Sequence, residues 1–214
     1  AHSWVLQVEG ESKPGNAAYS SLMIASQGKA IRINHIDRDM ASQLQTVLDE
    51  HHQSMVVHGY KEQSHLLESV GVALPKPLFD TKLAGYLVHP DFHADTLERA
   101  AAHFLDLHIE EQSEGATQGT LDFDEPDDSA QRNDNQLPRH TAIVGLLARK
   151  LADSLDQREQ FSLLESVEIP VSRVLYGMEH AGAQVDMNRL MSMREQLAAD
   201  ANYAQETAWQ YAGA

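Results

Sequence analysis

Cysteine is absent from the 214 residues, which excludes disulfides, thiolate-bound metals and a cysteine nucleophile. Basic charge is scarce: 16 Lys and Arg stand against 32 Asp and Glu, for a formal charge of −16. Nucleic-acid binders draw affinity from Lys and Arg that release counterions from phosphate, so DNA binding by this chain alone is expected to be weak or nil. No apolar run approaches the roughly 20 residues of a membrane helix, and no membrane partner is expected. The start, Ala1-His2-Ser3-Trp4, lacks the basic and apolar regions of a secretory signal, which with the missing cysteine suits a cytoplasmic location. Nor is there a phosphate-binding glycine loop: Gly10 and Gly15 have neither the spacing nor the Lys-Ser/Thr. The chain has no initiator Met and opens on a strand pattern, the start expected of an internal fragment.

What is present is ordinary globular material, 42 % hydrophobic and 22 % charged, long enough for one domain or one domain plus an appendage. The acidity is concentrated. Residues 109–136 hold nine acids and one base, and with few apolar side chains to offset ordering entropy they read as an acidic mobile loop.

Around that loop the hydrophobic pattern is regular. Trp4 to Val8 alternates as a strand, with Trp4 a core anchor rather than a platform for base stacking. Ser20–Ser26 and Ala30–Ile36 read as a hairpin about Gln27-Gly28-Lys29. Asp39 is placed as the cap of a helix burying Met40, Leu44, Val47 and Leu48. A short strand at Met55-Val56-Val57 precedes a helix from Lys61 to Val70. Asp80 reads as the N-cap of a helix carrying Leu83, Tyr86, Leu87 and Val88, which Pro90 stops. From Leu137 onward everything is helical: first a run burying Ile143, Val144, Leu146, Leu147 and Leu151. A helix from Pro170 is expected to bury Val171, Val174, Leu175 and Met178, and a last one, capped by Asp186, carries Leu190, Met193 and Leu197. Strands first, then alternation, then helices describe an α/β fold, a mixed sheet flanked by helices with a C-terminal helical extension.

Two strings go further. Glu168-Ile169-Pro170, Val174-Leu175-Tyr176-Gly177-Met178-Glu179, Gly182 and Val185-Asp186 follow one another in a set order. That order resembles the start of the polymerase domain of bacterial DNA polymerase I, a Glu-x-Pro helix running through Val-Leu-x-x-Met-Glu to a Gly and a Val-x-Asp turn. Upstream, Phe79-Asp80-Thr81-Lys82-Leu83-Ala84-Gly85-Tyr86-Leu87 with Pro90 is similar to a segment of the same family's 3′–5′ exonuclease domain. The resemblance implies a ribonuclease H-like 3′–5′ exonuclease fold over residues 1–157 and the first thumb-region helices of a polymerase domain over 158–214. It also implies DNA as the partner of the full-length polymerase, a polymerase domain packing on the C-terminal helices, and Mg2+ for that domain.

In such exonucleases two divalent cations about 3.5–4 Å apart activate water and stabilise the leaving oxygen, held by four carboxylates. The family pattern is Asp-x-Glu on the first strand, then Asn-x-x-x-Asp, then Tyr-x-x-x-Asp. Aligned on these motifs, the chain keeps only Glu9; Gln7, Gln63 and His140 stand at the other three places. One Glu and two amides cannot neutralise two dications, and His140 suits a softer metal than magnesium. The expected catalytic set is therefore empty, with Gln7, Glu9, Gln63 and His140 as vestigial positions and no cofactor or metal in this chain. Glu11 and Glu62 are the nearest substitutes. Glu62 adjoins Gln63 and so points about 100° away on a helix, and Glu11 lies past Gly10 in a loop.

The twelve histidines are expected to be surface residues. His51 and His52 diverge, Pro90 breaks the helix between His89 and His93, and His103 and His108 fall on different faces. The expected function is a vestigial scaffold domain of a polymerase active in DNA replication and repair synthesis. The alternatives are a proofreading exonuclease with displaced ligands and a free-standing acidic interaction module.

Overall fold

The computed structural model describes residues 3–92, 96–108 and 136–213. The predicted loop at 109–136 lies outside the described residues, apart from Gln136, and so does His93. Strands β1 (Trp4–Glu11), β2 (Ala18–Ser26) and β3 (Lys29–Ile33) form an antiparallel meander, and β4 (Met55–Val57) and β5 (Phe79–Asp80) extend it in parallel. The order is β3-β2-β1-β4-β5. This is the expected mixed sheet. The helices are α1 (Arg38–His51), α2 (Tyr60–Glu68), α3 (Thr81–Val88), α4 (Leu97–Leu105), α5 (Gln136–Gln157), α6 (Phe161–Leu163), α7 (Ile169–Ala181) and α8 (Met187–Ala212), with a π turn over Leu164–Glu168.

Period-two alternation divides β1 between two cores. Trp4, Leu6 and Val8 join Leu44 and Leu48 of α1 and Leu66 and Leu67 of α2. On the other face Val5 packs with Val56 and Phe79 against Leu87, Ala101, Val144 and Leu147 of α3, α4 and α5. Gln7 and Glu9 follow Val5 on that second face. Trp4 is the anchor its pattern promised: it is buried, and its Nε1 donates to His51 O at 3.0 Å, tying the end of α1 to the first strand. At Glu9/Gly10 the β1–β2 register slips by a bulge. Gly10, at φ +150°, is required there, since a Cβ would lie 2.1 Å from Ala18 O.

Three local expectations need correction. The N-cap of α1 is Asp37, not Asp39: its Oδ1 accepts from Met40 N at 2.8 Å. Ala41, Leu44 and Leu48, spaced i, i+3, i+7, form the stripe facing the sheet, while Met40 and Val47 flank it and are exposed. In α3 and α5, Tyr86 and Leu146 flank the buried stripes and are exposed, and Leu155 extends the α5 stripe instead. In α7 only Ile169 and Ser172 are buried, leaving Val171, Val174, Leu175 and Met178 exposed. Where α7 does meet α2 it does so through polar side chains: Glu179 binds Lys61 Nζ at 2.7 Å and His65 Nε2 at 2.9 Å.

The chain divides into two compact units, Ala1–His180 and Ala181–Ala214. The first unit therefore extends beyond residue 157 to include α7. The second is α8 with its lead-in, capped as expected by Asp186, which accepts from Arg189 N at 3.0 Å. Leu190, Met193 and Leu197 are exposed on it. No helix among the described residues is long and apolar enough to cross a membrane.

Candidate functional site

The site begins where β4 ends. After Val57 the chain passes through His58 and Gly59 directly into α2. Gly59 holds φ +76°, and a Cβ there would lie 2.8 Å from Glu62 Oε2, so only glycine fits without strain. This turn sets Gln63 one helical turn further on, buried at 2 % exposure against the sheet.

Gln63 Nε2 donates to His58 O at 2.7 Å and to Gln7 Oε1 at 3.3 Å. Two of the four predicted positions are thus brought into contact across 56 residues of sequence. Glu9, two residues along β1 from Gln7, accepts from Ser21 Oγ at 3.2 Å, its partner in the β1–β2 register. The second oxygen of Glu9, Oε1, and Gln63 Oε1 are buried with no protein donor. His140 is tied elsewhere. In the first turns of α5, its Nε2 lies 2.7 Å from Glu98 Oε1, with both side chains mostly covered.

A polar network surrounds these positions. His58 Nδ1 lies 2.8 Å from Thr81 Oγ1, which in turn donates to Val57 O. Burial, and then the Lys82 ammonium, push the His58 ring down to about 4, so it is neutral at ordinary pH. Glu62 is paired with Lys82 at 2.6 Å. Burial would raise its carboxyl, but Lys82, the backbone N–H of Glu62 and Lys61 together hold it below the usual range. Glu98 is likewise held low: its own backbone N–H and the His140 ring overcome the upward pull of burial.

Asp80 confirms its assignment as a cap and does more. Oδ1 accepts from Lys82 N at 2.8 Å and Leu83 N at 3.3 Å, and also from Gly59 N at 3.1 Å, while Oδ2 accepts from Tyr60 N at 2.7 Å. One carboxylate thereby fixes the starts of both α2 and α3. A cavity of about 450 Å³ opens beside this turn, lined by Gly59, Lys82, Tyr86, Phe92, Phe104 and Leu175 among others, and not by Gln7, Glu9, Gln63 or His140.

Sequence reasoning missed Glu98, His58 and the Glu62–Lys82 pair as parts of this network. Glu98 reaches His140 across 42 residues, a separation that no local pattern reports. The predicted divergence of Glu62 from Gln63 does hold, since the two side chains go to different partners.

The donor set tests whether two divalent cations fit. A carboxylate only accepts when ionised, whereas Gln63 serves here as a hydrogen-bond donor to two acceptors. Gln7 contributes an amide oxygen already engaged, and His140 is committed to Glu98. One carboxylate carries one charge against the four of two dications. The residues do not fit the metal pair of the exonuclease fold. Among the described residues no group of three or more His, Asp or Glu is placed to hold a metal ion.

Comparison with known proteins places this geometry. No family model matches the chain. DNA polymerase I of Mycobacterium bovis is 31 % identical over 157 residues, 72 % of this chain and 17 % of that protein. DNA polymerase I of Bacillus subtilis is 29 % identical over 143 residues, 67 % of this chain and 16 % of that protein. The chain is homologous to a segment of bacterial DNA polymerase I. It spans about one sixth of the curated relatives it matches. Among solved structures, the POL domain of Pol1 from M. smegmatis, complexed with DNA primer-template and dNTP, aligns with 97 % of this chain and 33 % of its own. That alignment has a TM-score of 0.75 at 25 % identity. Brucella melitensis NrnC aligns at TM-score 0.61 and 18 % identity, covering 85 % of this chain and 88 % of its own, which establishes the exonuclease-like fold alone. The chain thus combines sequence similarity to a segment of polymerase I with an exonuclease-like fold.

Proposed function

We propose that this polymerase I segment is a degenerate 3′–5′ exonuclease domain, retained as a scaffold and no longer hydrolytic. The observation that carries the reading is Gln63: at the place of a metal-binding carboxylate stands an amide donating to Gln7 and to His58 O. The site has become a cross-link between β1 and the β4–α2 turn. Catalysis by the parent protein is then template-directed nucleotide addition in replication and repair synthesis, supplied with Mg2+ by a polymerase domain beyond these residues. DNA is met through that full-length protein in the cytoplasm. The exposed apolar side chains of α7 and α8 are the surfaces on which the polymerase domain packs. The similarity to polymerase I relatives over about 70 % of the chain supports this reading.

The test is degradation of 3′-labelled single-stranded DNA by the purified chain with magnesium or manganese. The expected result is no metal-dependent release of nucleotides. Release that disappears in Glu9→Ala would overturn the reading. Release that also disappears in Glu98→Gln would establish the alternative, a proofreading nuclease that recruits a displaced carboxylate from α4.

A further inference from the structure

Away from the cleft, α3 and α4 end side by side, and each ends in a histidine. His89 is the C-cap of α3 and His103 lies in the last turn of α4. Gly85 leaves room for the Phe104 ring: a Cβ there would stand 3.2 Å from Phe104 Cε2, a tight contact that the ring would have to yield to. His89 Nδ1 and His103 Nε2 face each other at 2.8 Å, both side chains open to solvent. Sequence spacing set aside both His89 with His93 and His103 with His108; the pair in the fold takes one histidine from each.

The pair is held in place. The Phe92 ring stacks on His103 with centroids 3.8 Å apart and planes 12° from parallel, and Phe104 closes on both rings edge-on. The turn that carries Phe92 is fixed by Phe92 N donating to His89 O at 3.0 Å. The facing nitrogens of the two rings thus meet between two helix ends, with Phe92 and Phe104 packed on His103.

We propose that His89 and His103 form a two-histidine site for a borderline divalent transition-metal ion of the zinc, nickel and copper class. Imidazole nitrogen is the ligand these ions favour, and hard ions such as magnesium do not. In the metal-free pair one ring donates its N–H to the lone pair of the other. Binding requires the donor ring to move that proton to its other nitrogen, so that both facing nitrogens present lone pairs. N–Zn bonds of ~2.0–2.1 Å in tetrahedral geometry set two nitrogens roughly 3.4 Å apart, so the rings open by about 0.6 Å. Exposed side chains can make that movement. Among the described residues no third His, Asp or Glu completes a cluster, so the proposed site rests on these two rings, a staple between α3 and α4. Nothing in this site depends on the reading of the nuclease cleft.

The experiment titrates the 214-residue chain with zinc chloride alone by calorimetry, beside His89→Ala, His103→Ala and His108→Ala. The expected result is that the tightest binding event weakens at least tenfold in each of the first two variants and is unchanged in the third. In parallel, substoichiometric zinc should shift the imidazole proton resonances of His89 and His103 of the unmodified protein first, a readout that needs no variant to fold. Unchanged isotherms in His89→Ala and His103→Ala, loss in only one of them, or first shifts at other histidines would each overturn the proposal.

Discussion

Asp80 and Glu9 are both carboxylates inside the same unit, and they are treated in opposite ways. Every lone pair that matters on Asp80 is used, by the N–H groups of Gly59, Tyr60, Lys82 and Leu83. Glu9 has one hydroxyl partner and a second oxygen buried without a protein donor. Buried polar groups are normally satisfied, so the contrast separates two kinds of importance. Asp80 is held by the demands of the fold, because two helix starts collapse without it. Glu9 has no such structural claim, and Gln7, Gln63 and His140, the positions grouped with it by motif spacing, carry no carboxylate. On the proposed reading, a region can keep its framework acid while the acids of its metal site are replaced, and the fold outlives the chemistry.

The comparison predicts unequal responses to substitution. The largest is for Asp80→Ala, which removes a cap from α3 and strands buried donors at the start of α2; stability should fall by about 3–5 kcal/mol in urea unfolding. Loss of less than about 1 kcal/mol would break the distinction between framework and relic.

The second effect is of pH and comes from His58, beside the framework turn. Its ring stays neutral in the fold down to about 4, against an ordinary value of 6.5. Between these values the unfolded chain binds the proton and the folded one does not, so stability present above 6.5 is lost as pH falls towards about 4. At ~1.36 kcal/mol per pH unit the loss amounts to about 3 kcal/mol. Glu62 and Glu98, held below their usual range, add a loss of the same sign at lower pH. Unfolding midpoints at pH 7 and pH 4.5 should differ accordingly, and His58→Gln should flatten the dependence.

The smallest effect belongs to the relic. Glu9→Gln replaces a half-satisfied charge by a neutral amide of the same shape, and should change stability by less than about 0.5 kcal/mol or raise it. A drop of 2 kcal/mol or more would mean that the carboxylate holds something the present account does not give it.

Much of this fold was legible because it follows from local pattern. Alternation from Trp4 to Val8, the glycine between the hairpin strands, and the caps at Asp80 and Asp186 all specify structure within a few residues. The cap of α1 was misplaced because Asp37 and Asp39 offer the same chemistry two residues apart, and only the packing of Ala41 against the sheet decides between them. Val171, Val174, Leu175 and Met178 show the limit of periodicity, since an apolar stripe states that a surface will be covered and not by what. Motif spacing singled out Gln7, Gln63 and His140, but it could not give the partners they have in the fold. His58 O, Glu98 and the His89–His103 pair are reached only through long-range packing.

Charge decides whether the residues around Glu9 can hold a pair of cations, and manganese reports on it. Electron paramagnetic resonance of the chain titrated with manganese should show no spin-coupled pair of ions, with the signal of the Glu9→Ala variant indistinguishable from that of the unmodified protein. A coupled two-manganese spectrum abolished by Glu9→Ala would contradict the account, because it would place two dications where one carboxylate and two amides were judged unable to hold them.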